Sequence, residues 1–207
     1  MKASTALPFL ALALWAMEAQ AGAIHGHLSA PPRAVQTASG TAVMGGGPEE
    51  AVVWVDSLPA NLQKRFRPKP QTRVVTVNSA FVPRVTAVDE GSAVRFSNRD
   101  DVYHQVFSVS PAKRFDLGKS APHHVGEVTF DQCGVVDIYD ELHPEMAAYV
   151  VVVPHRLFAR PSRAGDFVLP DLPAGTYLLH VWHPAHGEMR RAVEVPHTGV
   201  AMLSLSY

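Results

Sequence analysis

Short runs of β-branched and aromatic residues, separated by turn residues, dominate the chain from residue 73 to residue 153. Val, Ile, Phe and Tyr favour extended backbone, whereas Gly, Pro, Asn and Asp mark turns. The runs predicted as strands cover residues 74–77, 80–88 (bent at Pro83), 92–97, 104–109, 128–130, 135–139 and 146–153. Residues 110–124 are predicted as a long loop. Many short strands at this spacing indicate an all-β sandwich or barrel.

The charge balance and the cysteine count limit which classes of partner the protein can bind and which interactions can stabilise its fold. The 207 residues include 18 Lys and Arg against 19 Asp and Glu, which gives a formal net charge of −1. This balance predicts no nucleic-acid partner and no anionic membrane partner. Cys133 is the only cysteine, so an intramolecular disulfide is excluded. The fold must therefore be stabilised by apolar cores.

The first 21 residues have the pattern of a signal peptide. Lys2 gives a positive start, residues 7–17 are mostly apolar, and Ala19-Gln20-Ala21 fits the small-x-small cleavage rule. The chain is therefore expected to be exported to the periplasm or secreted. The alternative is that the segment stays uncleaved and anchors the protein in a membrane.

The segment 140–146, Asp-Glu-Leu-His-Pro-Glu-Met, lies between two predicted strands, with His104 upstream. His143 and Met146 are three residues apart within it. Together with Phe81-Val82-Pro83 and the segments 94–98 and 108–115, these motifs resemble a group of bacterial secreted proteins. These proteins carry a plastocyanin-like cupredoxin domain, a Greek-key sandwich, and are often labelled methylamine utilisation proteins. The resemblance covers residues 61–154.

The resemblance implies a copper site in which His104 and His143 supply imidazole nitrogens and Met146 a weak axial thioether. In the family a cysteine ends the strand before the loop, and here Asp140 stands in its place. Two imidazoles and a carboxylate suit Cu(II), and also Zn(II), but bind Cu(I) poorly. A nearly colourless site of lowered potential is expected, and loss of the metal is the alternative. Cys133 lies seven positions before Asp140, about 20 Å away along an extended strand, which is too far to replace the thiolate.

The chain after residue 154 has a second pattern. Residues 165–181 resemble the G-x-F-x-L-x-x-L-P-x-G-x-Y-x-L-x-V motif of carboxypeptidase-regulatory, transthyretin-like sandwiches. That motif normally follows a strand pair such as residues 24–28 and 51–56. We therefore expect a signal peptide (1–21), N-terminal strands of this sandwich (22–60), an inserted cupredoxin domain (61–154) that opens with a basic, Pro-rich linker (61–72), and the remainder of the sandwich (155–207). The alternative is a plain tandem of two domains.

Two functions fit these patterns. The first is a periplasmic copper-binding protein with a redox or copper-handling role and a redox partner in the same compartment. The alternative is a metal-free binding or adhesion module, with Tyr177 and Trp182 as an aromatic carbohydrate platform. His180, His183 and His186 are not predicted as a second metal site, because residues three apart on a strand face opposite sides. No catalytic triad, carboxylate pair or phosphate loop indicates an enzyme.

Overall fold

The computed structural model describes residues 22–31, 34–36, 42–44, 46–59, 62, 72–197 and 199–207. The predicted signal peptide and nearly all of the predicted linker lie outside these residues. Among the described residues, no helix has the length and the hydrophobicity that crossing a membrane requires.

The prediction of an all-β fold is confirmed. Within the described residues, eighteen strands follow one another, and a short 3-10 helix lies at Pro48–Glu50. In chain order they are β1 (Gly22–Ser29), β2 (Ala34–Gln36), β3 (Ala42–Met44), β4 (Val52–Val55), β5 (Thr72–Val77), β6 (Ala80–Val82), β7 (Val85–Asp89), β8 (Ser92–Asn98), β9 (His104–Ser110), β10 (Lys113–Ser120), β11 (Val125–Phe130), β12 (Gly134–Asp140), β13 (Ala147–Val153), β14 (Phe158–Ala159), β15 (Asp166–Leu172), β16 (Gly175–His183), β17 (Gly187–Val195) and β18 (Val200–Ser206).

Strands β5 to β13 form a nine-strand sandwich. One sheet has the order β10-β9-β12-β13-β7 and the other the order β11-β8-β5-β6. The strands alternate between buried and exposed positions, so one side chain in two points between the sheets. Val94, Phe130, Val136 and Ile138 are among the fully buried residues of this core.

Seven of the other strands form a seven-strand sandwich from both ends of the chain, and β2 and β3 pair as a separate two-stranded sheet. Its sheets have the orders β15-β1-β18 and β14-β4-β16-β17. Strands β1 and β4, which precede the nine-strand sandwich in sequence, thus pair only with strands that follow it. Ile24, Leu28, Leu169 and Leu179 are fully buried between these sheets. This pairing is compatible with an inserted domain, and the boundaries at 60 and 154 stay a prediction.

A third apolar cluster joins the two sandwiches. Val52 of β4 and Trp182 of β16 pack against Val85 of β7 and against Val151 and Val153 of β13. These residues lie on the outer faces of the sheets, and each is less than one-tenth exposed. The outer face of one sheet in each sandwich is therefore buried against the other sandwich.

Two strand predictions are wrong in the nine-strand sandwich. The predicted strand 80–88 is two strands, because the chain leaves one sheet after Val82 and enters the other at Val85. The predicted loop 110–124 contains β10, which pairs with β9 at the edge of its sheet. A register shift between Asp116 and Lys119, with Gly118 at a φ of 67°, interrupts that pairing.

The proposed aromatic platform is also wrong. Tyr177 and Trp182 lie five positions apart on β16, so their side chains point to opposite faces. Tyr177 packs in the core of the seven-strand sandwich, and Trp182 packs in the cluster between the sandwiches.

Candidate metal centre

Strand pairing brings His104 and Asp140 together at one end of the nine-strand sandwich. His104 begins β9 and Asp140 ends β12, and these strands are antiparallel, with Asp140 opposite Val106. Both side chains are at inward positions of their strands and have no exposed surface. The loop 141–146 then turns the chain into β13. The loop places His143 beside His104 and Asp140.

The carboxylate of Asp140 is the centre of this group. Its Oδ2 contacts His104 Nδ1 at 3.0 Å and accepts a hydrogen bond from the amide of Gln105 at 3.1 Å. Its Oδ1 accepts bonds from the amides of Leu142 and His143, both at 2.9 Å, and contacts His143 Nδ1 at 3.1 Å. Asp140 therefore fixes the fold of the loop as well as the direction of both imidazole rings.

His104 contacts carboxylates through both of its ring nitrogens. Nδ1 lies 3.0 Å from Asp140 Oδ2, and Nε2 lies 2.9 Å from Asp100 Oδ2. A neutral imidazole carries a single N–H and can donate to only one of them. One ring nitrogen therefore faces a carboxylate oxygen without an N–H of its own. An additional proton on the ring or on Asp140, or a metal ion at Nδ1 while Nε2–H donates to Asp100, would each satisfy this contact.

Asp100 was not among the predicted site residues. Burial raises the pKa of this carboxyl, but hydrogen bonds from the amides of Ser79 and Asn78 and from His104 hold it below its ordinary value. Asp100 is therefore ionised, and it ties His104 to the turn between β5 and β6. Its position four residues before a candidate ligand was the available signal.

His143 and Met146 differ in their access to solvent. The His143 side chain is 25% exposed, and its ring lies 4.5 Å from that of His104 between centroids. Met146 is 2% exposed and packs in the core of the nine-strand sandwich, and its amide donates to the carbonyl of His143. The centre is thus closed on the protein side and opens to solvent at His143.

The residues fit a metal ion of the size of copper or zinc. One ligand atom from each of His104, Asp140 and His143 lies within 4.8 Å of the others, and within the described ranges no other such group of His, Cys, Asp and Glu exists. Bonds of about 2.1 Å in a tetrahedral site place the ligand atoms about 3.4 Å apart. The contacts of 3.0 and 3.1 Å run to different oxygens of Asp140 and have hydrogen-bond lengths, so a bound ion would replace at least one of them.

The three histidines of residues 180–186 and the cysteine lie away from the candidate metal centre. His183 contacts the carbonyl of Gly47, His186 the carbonyl of Pro31, and His180 the carboxylate of Glu188. Cys133 is exposed and precedes β12, whereas Asp140 ends that strand. An intact strand of seven residues therefore separates the thiol from the candidate centre.

Comparisons with known proteins give similarities in structure alone. No protein-family model and no curated protein matches the chain. A copper-containing nitrite reductase from Thermus scotoductus SA-01 is 24% identical over 42% of this chain, with a TM-score of 0.38, and the match covers only 23% of the reductase chain. A purple cupredoxin from Nitrosopumilus maritimus is 20% identical over 39% of this chain and 98% of its own, with a TM-score of 0.36. A Cu(I) form of an amicyanin variant is 22% identical over 50% of this chain and 98% of its own, with a TM-score of 0.38. The role of this chain must therefore be argued from its own residues.

Proposed function

We propose that this chain is an exported copper-binding protein of the cupredoxin type, with a Cu(II) site formed by His104, Asp140 and His143. The observation that carries the proposal is the convergence of His104, Asp140 and His143, with the carboxylate of Asp100 placed to accept from Nε2 of His104. Metal-bound histidines commonly donate their other N–H to a carboxylate in this way. Met146 follows in the same loop and is the candidate for a weak axial ligand.

Copper bound at this place would supply a one-electron centre for redox or copper-handling chemistry. The side chain of Asp140 would bind it, Asp100 would accept the proton of His104 Nε2 in a hydrogen bond, and the buried surroundings would exclude bulk water. His143 is the exposed edge of the centre. A shallow apolar depression lined by Phe107, Tyr139 and Pro144 borders Asp140, and a periplasmic redox partner would have its contact surface there.

A metal-free role is the second candidate, because Asp140 is already satisfied without an ion. Three backbone amides and two imidazoles surround its two oxygens. Buried carboxylates with that many donors are stable parts of a fold. In this case the group only closes the loop 141–146, and the protein acts as a β-sandwich binding module.

Copper titration of the purified protein separates the two candidates. We expect stoichiometric Cu(II) binding with a wide hyperfine splitting in electron paramagnetic resonance and little blue colour, lost in Asp140→Ala and His143→Ala. His123→Asn is the matched control, because His123 is exposed in a loop with a φ of 65°, which Asn tolerates. An intense blue band would identify Cys133 as a ligand. Absence of stoichiometric binding would leave the metal-free module.

A further inference from the structure

A cleft of about 370 Å³ lies beside the contact between the two sandwiches. Residues of both sandwiches line it, which is a common position for small-molecule sites. Trp54 and Trp182 come from the seven-strand sandwich, and Val135 and Val151 from the nine-strand sandwich. Pro154 closes the wall where the chain passes between the two. The cleft thus has two indole rings and an aliphatic wall.

A network of charged residues holds one of the indoles in place. The ring of Trp54 stacks on the ring of His180, with centroids 5.1 Å apart and planes within 15°. His180 Nδ1 lies 2.7 Å from Glu188, and Arg190 donates to the same carboxylate through Nε and Nη2, both at 3.1 Å. Partial burial raises the pKa of Glu188, but the bonds from Arg190 and His180 lower it overall. Glu188 and Arg190 therefore neutralise each other and keep His180 against Trp54.

Asp56 is the carboxylate of the cleft that has hydrogen-bond acceptor positions left for a ligand. Among the described residues it accepts one weak bond, from the amide of Leu178 at 3.4 Å. A carboxylate has about four acceptor positions, so Asp56 can accept a donor from a ligand. Because Glu188 is balanced by Arg190, the charge of Asp56 also makes the cleft unfavourable for anions.

We propose that this cleft binds a small, uncharged phenolic compound, with its ring against Trp54, beside the 8%-exposed Trp182, and its hydroxyl donated to Asp56. A planar aromatic ring matches two indoles and an aliphatic wall, because both of its faces are apolar. A saccharide fits less well, since its hydroxyl groups would lose water against Val135, Val151 and Pro154 without gaining partners. This site lies apart from the candidate metal centre and does not depend on it.

Tryptophan fluorescence gives a direct test. The chain has three tryptophans, and two of them line the cleft. In the full chain carrying Trp15→Phe, the emission therefore reports only on Trp54 and Trp182. We expect phenol to change this emission saturably, and anisole, which cannot donate a hydrogen bond, to bind about tenfold more weakly. Glucose and maltose are expected to give no saturable change.

Single substitutions in the cleft test which residues contact phenol. Asp56→Asn should weaken phenol binding about tenfold and reduce the preference over anisole, because a bond to a charged acceptor becomes a bond to a neutral one. Trp54→Leu should abolish saturable binding, which calorimetry can check without tryptophan emission. Glu194→Gln, an exposed carboxylate on β17 outside the cleft, is the matched control and should bind like the parent.

The only cysteine of the chain supplies a second readout, because Cys133 also lines the cleft. Phenol should slow its alkylation by iodoacetamide in the parent and not in Trp54→Leu. Equal binding of phenol and anisole, unchanged affinity in Asp56→Asn, or saturable binding of maltose in place of phenol would each overturn the proposal. Far-UV circular dichroism verifies that every variant is folded.

Discussion

Asp140 is the residue on which the proposed copper chemistry depends. It stands at the end of a buried strand, where both imidazoles and three amides converge on its carboxylate. A hard carboxylate oxygen at that point would stabilise Cu(II) over Cu(I), whereas a thiolate would favour Cu(I) and give strong colour. The positions of the two imidazoles around residue 140 can be tested apart from the chemistry of its side chain, by replacing that side chain alone.

Asp140→Cys should convert the centre into a coloured one. Because the rings of His104 and His143 already converge on this position, a thiolate there would complete a set of two nitrogens and one sulfur. We expect an intense visible absorption band upon Cu(II) addition in the variant. The experiment uses a Cys133→Ser background, so that the thiol at position 140 is the only one. A colourless Cu(II) complex in this variant would show that the imidazoles do not face a common ion.

Asp100→Asn tests the role of the second carboxylate. If a metal binds Nδ1 of His104, loss of the charge that accepts from Nε2 should weaken Cu(II) binding roughly 10- to 100-fold. Competition with a chelator of known affinity measures the change. Asp101→Asn is the control, because Asp101 is the exposed neighbour in the same turn. Equal affinities in the two variants would mean that Asp100 serves only the turn between β5 and β6.

At the scale of elements, the sequence predicted those strands whose inward positions are apolar. Val106 on β9 and Val136 and Ile138 on β12 alternate with more exposed residues, so the pattern was visible. Strand β10 was missed because it is an edge strand whose only buried residue is Ser120. Lys113, Arg114 and Asp116 resemble a loop when only hydrophobicity is considered.

The candidate metal centre also contains residues that the sequence predicted and one that it did not. His104, Asp140 and His143 were predicted because the resemblance fixed their order along the chain, and antiparallel pairing of β9 with β12 brings the first two together. Asp100 was not predicted, because its contact with His104 depends on the conformation of the turn 99–103. Asn98 supports this turn by accepting from the amide of Asp100 and donating to the carbonyl of Val102. Such local geometry is not contained in a hydrophobic pattern.

Two buried histidines, His183 at the end of β16 and His155 after β13, should make the free energy of unfolding depend on pH. His183 is fully buried, its Nδ1 accepts from the amide of Ala185, and its Nε2 donates to the carbonyl of Gly47, so the ring is neutral. Burial lowers the pKa of His183 below its ordinary value, and burial also lowers the pKa of His155. Above pH 6.5 both rings are neutral in the folded and the unfolded chain, and the stabilisation is complete. As the pH falls below 6.5, protons bind the unfolded chain first, so the free energy of unfolding decreases.

For each ring the decrease is at most about 1.4 kcal/mol per pH unit, until its folded-state pKa is reached. Urea denaturation between pH 7.5 and pH 5 measures the slope, and nuclear magnetic resonance titration of the His183 ring assigns its share. A His183 ring that titrates above pH 6.5 in the folded protein would contradict the assignment of a neutral tautomer.

At the scale of the whole molecule, the two sandwiches are joined by apolar packing and by a few polar contacts. Arg84 of the nine-strand sandwich pairs with Glu50 at 2.6 Å, and Arg160 donates to the carbonyl of Val85 at 2.6 Å. The chain also crosses between the sandwiches twice, before β5 and after β13. These features favour one folded unit over two independent domains.

Two neighbouring valines on β13 test whether the contact between the sandwiches is as well packed as a core. Val151 is 1% exposed and faces the other sandwich, whereas Val152 is 2% exposed and faces the core of its own sandwich. If the contact is formed in solution, Val151→Ala and Val152→Ala should each lower the free energy of unfolding by about 2 kcal/mol, because each removes the same buried methyl groups. Urea denaturation followed by circular dichroism gives both values. A cost below about 0.5 kcal/mol for Val151→Ala alone would place Val151 on a solvent-exposed surface, and the two sandwiches would then move independently.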